Sequence, residues 1–213
     1  DLGGLVKSFD GKQPIAAVFS AGAPVYKLLD SEHPDRALLK SLISSFPDRF
    51  VQPVSATEDG KKVILSVYSD RQPVEYYLFE HDTGKARYLL TTRPWIDPEK
   101  MAERRPISYK TRDGQTVWGY LTLPPGREAK NLPLVVNPHG GPFGIREEWG
   151  WEADPQMLAS RGYAVLQVNF RGSGGYGLKH ERSAKRGWGT MMIDDITDGA
   201  RWAVAQGYAD STR

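Results

Sequence analysis

Up to about residue 92 the apolar positions come in short runs separated by turn residues, the texture of strands rather than helices. Ile15 to Phe19 and Val63 to Tyr68 are apolar or β-branched, and Val74 to Glu80 is rich in aromatics. Asp59-Gly60 and Thr83-Gly84 supply turns between such runs. Val51 to Leu90 therefore predicts about four strands in about 40 residues, the size of one propeller blade. The exception is Pro34 to Ser45, where Leu38, Leu39, Leu42 and Ile43 share one helical face. Propellers usually need about four or more blades, and residues 1–92 hold about two at most, so this pattern calls for further sequence upstream. A small antiparallel sheet decorating another domain fits the same pattern.

The texture changes after residues 93–105, where Arg93-Pro94-Trp95-Ile96-Asp97-Pro98 and a charged run read as a linker. Ile107 to Lys110 and Val117 to Leu123 predict two strands joined at Asp113-Gly114. Leu132 to Val136 and Tyr163 to Phe170 predict buried strands, and Met157 to Ser160 the end of a helix closed by Gly162. A longer helix is expected over roughly Thr190 to Gln206. Its apolar face would be Met192, Ile196, Ala200, Ala203 and Val204, with Asp194 and Asp195 complementing the helix dipole in its first turn. Strands alternating with helices predict a mostly parallel α/β sheet.

Composition narrows the function classes. Net charge is +2 with both signs mixed along the chain, so no nucleic-acid or membrane surface is expected. No apolar run approaches the roughly 18 residues that span a bilayer. The start, Asp1-Leu2-Gly3-Gly4, has neither the basic and apolar regions of a signal peptide nor an initiator Met, so the natural start is expected upstream. The protein is read as soluble, in cytoplasm or periplasm. The absence of cysteine removes disulfides, thiolate metal sites and a Cys nucleophile. His33, His81, His139 and His180 form no ligand pair at useful spacing, so neither a metal nor another cofactor is expected.

The strongest chemical signal is Asn137-Pro138-His139-Gly140-Gly141-Pro142-Phe143, directly after an apolar strand. Paired glycines at a strand end allow a tight turn with exposed N–H groups, which can face a developing oxyanion. His-Gly-Gly loops in this place mark the oxyanion hole of α/β-hydrolases, although a plain glycine turn has the same letters. In Asn169-Phe170-Arg171-Gly172-Ser173-Gly174-Gly175-Tyr176-Gly177, the residues Gly172, Gly174 and Gly177 satisfy G-x-G-x-x-G after a strand. A dinucleotide site would need a helix opening at once, and here a charged segment, Lys179 to Arg186, intervenes. The loop fits better as the rim of a cleft, with Arg171 able to pair with Asp194, Asp195 or Asp198.

These two segments, with Gly187-Trp188-Gly189 leading to Asp194-Asp195 and Ala200-Arg201-Trp202, resemble the prolyl oligopeptidase family of serine peptidases. The likeness lies near its acylaminoacyl-peptidase and dipeptidyl-peptidase branches. Tyr120-Leu121-Thr122-Leu123-Pro124 is similar to the family's second hydrolase strand, and Arg93-Pro94-Trp95 to its linker after the propeller. The resemblance implies a β-propeller ahead of an α/β-hydrolase domain with a Ser-Asp-His triad, and a peptide or acyl-peptide substrate. Residues 1–92 would be the C-terminal part of the propeller, 93–105 a linker and 106–213 the first half of the hydrolase domain. The Gly141 N–H matches the family's oxyanion donor, with Gly140 and His139 on the same loop. His139 stands where some branches carry a Tyr, which favours the acylaminoacyl-peptidase side.

The triad itself is not found. Ser183 and Ser211 lack the flanking glycines of a nucleophile elbow, and His180, which could pose as a base, has no such serine to serve. The parent protein is thus expected to be the peptidase and this chain alone to be inactive. A homo-oligomer, or pairing with a complementing C-terminal fragment, stays open as an assembly. So do a non-catalytic interaction module and a nucleotide-binding oxidoreductase as functions.

Overall fold

The structure, a computed structural model, describes residues 2–30, 32–141 and 143–213. It divides into two compact units, one of residues 2–20 and 24–99, the other of residues 21–23 and 100–213.

The first unit holds a three-stranded antiparallel sheet, β1 (Leu2–Lys7), β2 (Pro14–Phe19) and β3 (Val25–Leu28). Next comes helix α1 (Pro34–Ser45), then a four-stranded antiparallel meander, β4 (Phe50–Ala56), β5 (Lys62–Tyr68), β6 (Glu75–Glu80) and β7 (Lys85–Thr91). Pro34 sits in the first turn of α1, where its missing N–H is harmless. Leu39 and Leu42 are buried, and Leu38 and Ile43 pack partly against the same cores. Val63, Leu65 and Val67 alternate inward along β5 and pack with Phe79 and Phe9. Asp35, 3% exposed, receives the Phe9 N–H at 2.7 Å and lies 3.0 Å from His81 Nε2, so its buried charge has partners.

The second unit starts from the hairpin of β8 (Glu103–Lys110) and β9 (Thr116–Leu123), closed at Gly114 with φ +80°. Strand β10 (Leu134–Val136), helix α2 (Ala153–Ser160) and strand β11 (Ala164–Asn169) follow, then a short α3 (Leu178–Ser183) and α4 (Met191–Ala205). The sheet order is β10-β11-β9-β8. The expectation of a mostly parallel sheet needs correction here: among the described residues only β10 and β11 run parallel, with a parallel bridge from Leu132 to Ala209. A tight hairpin makes β8 and β9 antiparallel, whereas the crossover through α2 makes β11 parallel to β10. Gly119 lets β9 and β11 approach closely; a Cβ there would lie 2.2 Å from the Gln167 carbonyl oxygen.

Strand β8 begins inside the expected linker, at Glu103. Pro106 is tolerated because β8 is the edge strand of this sheet, where an N–H need not bond outward. The core gathers Val117, Leu121, Leu123, Ala164, Leu166, Val168 and Met192 between the sheet and α4. All six residues of β11 are buried, and its last residue, Asn169, leads directly into the glycine-rich loop before α3.

Candidate active site

The loop that follows β10 lies beside the loop that follows β11. Gly144 N–H donates to the Gly172 carbonyl at 3.1 Å, and Gly174 N–H to the Ile145 carbonyl at 3.1 Å. Glu147 N–H donates to Asn169 Oδ1, while Asn169 Nδ2 returns a bond to the Glu147 carbonyl. The approach requires glycine: a Cβ on Gly174 would stand 2.7 Å from the Gly144 oxygen. The G-x-G-x-x-G glycines thus serve contact between two loops of the chain. The helix after them, α3, has only six residues, and Asp194 and Asp195 are held by arginines. The nucleotide reading is set aside on these grounds.

His139, Gly140 and Gly141 lie just past the C-terminal end of β10, next to that of β11; Pro142 falls outside the described residues. The His139 ring is half-buried and stacked on Phe170, with centroids 4.5 Å apart and planes at 15°. Its Nδ1 is 2.7 Å from the Gly140 carbonyl oxygen and its Nε2 is 2.8 Å from Ser173 Oγ. Burial lowers the His139 pKa below its usual value, against a smaller opposing pull from that carbonyl, so the ring stays neutral at ordinary pH. Gly140 and Gly141 are exposed, and their N–H groups have no hydrogen-bond partner among the described residues. Gly141 has φ +121°, a conformation open to glycine.

The third sequence segment joins the same corner. Trp188 stacks on Phe143, centroids 6.1 Å apart. Arg171 does pair with an acid of α4, and the choice is Asp195, fully buried, which accepts from the Arg171 main-chain N–H at 3.0 Å and from Nε at 2.9 Å. Arg171 Nη1 also reaches Asp113 Oδ2 at 2.6 Å. Asp194 and Asp198 instead take Arg112, whose hydrogen bonds are the main cause of the lowered Asp198 pKa. Asp195 is therefore a buried ion-pair partner rather than an exposed acid complementing a helix end.

His180 is buried with Nε2 3.2 Å from the Asn169 carbonyl and 3.1 Å from that of Phe170, so it donates to both and serves to brace the loop. Of the two histidines in this unit, neither joins a serine to a carboxylate. Ser173 does meet a histidine at hydrogen-bond distance, but it is fully buried, and the far nitrogen of that ring faces a carbonyl. The sequence reading missed this serine, Phe170 as the stacking platform, and Asn169 as the brace. Among the described residues no three His, Asp or Glu side chains converge as a metal site, and no helix is long and apolar enough to cross a membrane.

A buried charge cluster supports the loop from behind. Arg104, 2% exposed, lies over the Tyr120 ring at 4.6 Å and reaches Glu147 Oε2 at 3.2 Å and Glu152 Oε1 at 3.0 Å. Gln167 Nε2 donates to both carboxylates. Two acids share one arginine, and burial first, then the Glu152 charge, pushes the Glu147 pKa up to about 7. An unfolded chain would release that proton near pH 4.3. Between the two values the folded state binds the proton and the unfolded state does not. The contribution of Glu147 to stability is then complete below about pH 4 and declines as pH rises to about 7, by at most about 1.4 kcal/mol per pH unit. Burial of His139 and His180 works in the opposite sense over part of this range, so the contribution is read as a difference: the urea midpoint of wild type relative to Glu147→Gln should fall as pH rises from about 4 to about 7.

Comparison with known proteins gives four matches. A family model described as the prolyl oligopeptidase family matches residues 149–213. Dipeptidyl aminopeptidase BIII of Pseudoxanthomonas mexicana is 37% identical over 158 residues, which is 71% of this chain and 23% of that protein. Dipeptidyl peptidase family member 6 of Caenorhabditis elegans is 30% identical over 193 residues, 81% of this chain and 26% of that protein. Among solved structures, a puromycin-hydrolyzing peptidase of Mycobacterium tuberculosis aligns over 98% of this chain and 31% of its own, with a TM-score of 0.70 at 23% identity, a likeness of fold. The chain spans about a quarter of the length of the curated relatives it matches.

Proposed function

Because this chain belongs to the prolyl oligopeptidase family, we propose that its parent protein is a serine peptidase acting on peptides or acyl-peptides, with the Gly141 N–H as an oxyanion donor. The observation that carries this reading is that Gly140 and Gly141, both exposed just past the C-terminal end of β10, have N–H groups without a hydrogen-bond partner among the described residues. In the proposed reaction a serine outside residues 1–213 attacks the scissile carbonyl, and a histidine takes its proton. The carbonyl oxygen becomes an oxyanion facing Gly141. The same histidine then protonates the leaving amine, and water releases the acyl group. A preorganised donor of this kind contributes about 3–4 kcal/mol to the barrier reduction.

Residues 2–99, with their four-stranded meander β4–β7, are proposed as blades of the parent's propeller, and residues 100–213 as the opening half of its hydrolase domain. Dipeptidyl aminopeptidase is the activity named in the Pseudoxanthomonas mexicana relative, and the likeness to it favours peptides with a free N-terminus. A fluorophosphonate probe tests the assignment. The intact protein is expected to be labelled on one serine outside residues 1–213, and the 213-residue chain to remain unlabelled and inactive on peptide substrates. Labelling mapped to Ser173, Ser183 or Ser211, or no labelling of the intact protein, overturns it.

A further inference from the structure

We propose that Ser173 is a positioning residue that sets the direction of the Gly141 N–H through His139, an inference that rests on the reading of that N–H as the oxyanion donor. A carbonyl oxygen only accepts, so the 2.7 Å contact between His139 Nδ1 and the Gly140 oxygen requires the proton to be on Nδ1. The neutral ring then presents a lone pair at Nε2. Among the described residues the group within reach of that lone pair is the Ser173 hydroxyl at 2.8 Å, which donates to it. Ser173 is fully buried, and that ring is the partner its hydroxyl has. The stack on Phe170 fixes the ring plane. A hydroxyl can also accept from an Nε2–H, but its own buried proton would then face no acceptor among the described residues, so Ser173 reinforces the Nδ1–H tautomer that the Gly140 carbonyl selects.

The consequence follows from the planarity of the trans peptide. The Gly140 carbonyl and the Gly141 N–H belong to one peptide unit and point in opposite directions. Holding the carbonyl against the imidazole therefore turns the N–H to the other side, away from the ring. Such a hold is needed because this is a Gly–Gly peptide. Neither residue carries a Cβ, so turning the plane over costs little in backbone energy and would replace a donor by an acceptor at the same spot. With alanine at 173 the hydroxyl's share of that bias is lost and the Nε2–H tautomer gains population. In that form the lone pair of Nδ1 faces the lone pairs of the Gly140 oxygen, and the peptide is pushed to turn.

The test combines kinetics of the intact protein with nitrogen-15 NMR of labelled histidine. In the wild type, His139 is expected to be neutral with its proton on Nδ1. Ser173→Ala should lose that single tautomer and lower kcat about tenfold or more, with KM within about threefold, as for an interaction made in the transition state. Ser173→Thr, which keeps a hydroxyl, should recover most of both signals; a purely packing role would predict the reverse order, with the larger side chain the worse. A wild-type His139 protonated on Nε2, or a Ser173→Ala variant with unchanged kcat, overturns the proposal. If the intact protein neither cleaves peptides nor takes the fluorophosphonate, the peptidase reading fails, and the His139 tautomer in Ser173→Ala, compared with wild type, still decides whether Ser173 sets the ring.

Discussion

Replacing Asp195 with alanine is expected to cost the protein about 3–5 kcal/mol of stability, read as a fall in the urea midpoint at unchanged slope. The reason is what is left behind. Asp195 is fully buried and takes the main-chain N–H, Nε and Nη2 of Arg171, whose own side chain is only 7% exposed. Without the carboxylate, that guanidinium keeps one ion pair, to the half-exposed Asp113, and loses its bonds from Nε and Nη2, while the Arg171 main-chain N–H loses its acceptor. Asp194→Ala is the control from the neighbouring position. Its pair with Arg112 has both side chains nearly half exposed, 46% and 44%, so its loss should cost no more than about 1 kcal/mol. Equal effects from the two substitutions would show that burial does not govern this network.

Gly141→Ala in the intact protein is expected to lower kcat by about 10²–10³ with a much smaller change in KM, the loss associated with one oxyanion donor. Space alone does not forbid the methyl group. It would lie 3.0 Å from Ile145 Cδ1, the far end of a half-exposed side chain that can move aside. The backbone is the obstacle, because φ +121° is a conformation that L residues rarely adopt. The cheapest relief is to rotate the 140–141 peptide, which carries the N–H off its target. Gly140→Ala meets nothing within 4 Å and does not need a positive φ, so it should stay within about tenfold of wild type. Stopped-flow or steady-state hydrolysis of a chromogenic peptide separates the two.

Much of this arrangement was legible because it depends on local pattern. The alternation in Val63 to Tyr68, the helical spacing of Leu38, Leu39, Leu42 and Ile43, and two glycines after an apolar strand each report on neighbours in sequence. The unread parts depend on partners far along the chain. Glu103, Arg104 and Arg105 look like linker charges, yet they open β8. Arg104 is buried where Glu147 and Glu152, 43 and 48 residues on, meet it. Ser173 sits in a glycine run that reads as plain loop, and its partner is 34 residues back.

Helix α4 is the instructive case. Counting apolar residues puts its inner face on Met192, Ile196, Ala200, Ala203 and Val204, whereas the buried residues are Met192, Asp195, Asp198, Gly199 and Ala203. The face is turned toward acids that carry arginines. Gly199 makes room for the Tyr109 hydroxyl, which donates to the Asp195 carbonyl at 2.6 Å. Strand β1 was missed for a related reason, since Gly3 and Gly4 interrupt the apolar pattern that its pairing with β2 then overrides.

The interlocked backbones of residues 144–147 and 169–174 bear on how this corner could be inherited or transplanted. Neither loop has a shape of its own to export, because each supplies the bonds and the side-chain-free surface on which the other rests. A designer who moved His139 to Ile145 into a foreign hydrolase without Asn169 to Gly174 would carry over the letters of the motif and lose its geometry. Changes tolerated in one loop should accordingly be found, among descendants, only in company with changes in the other.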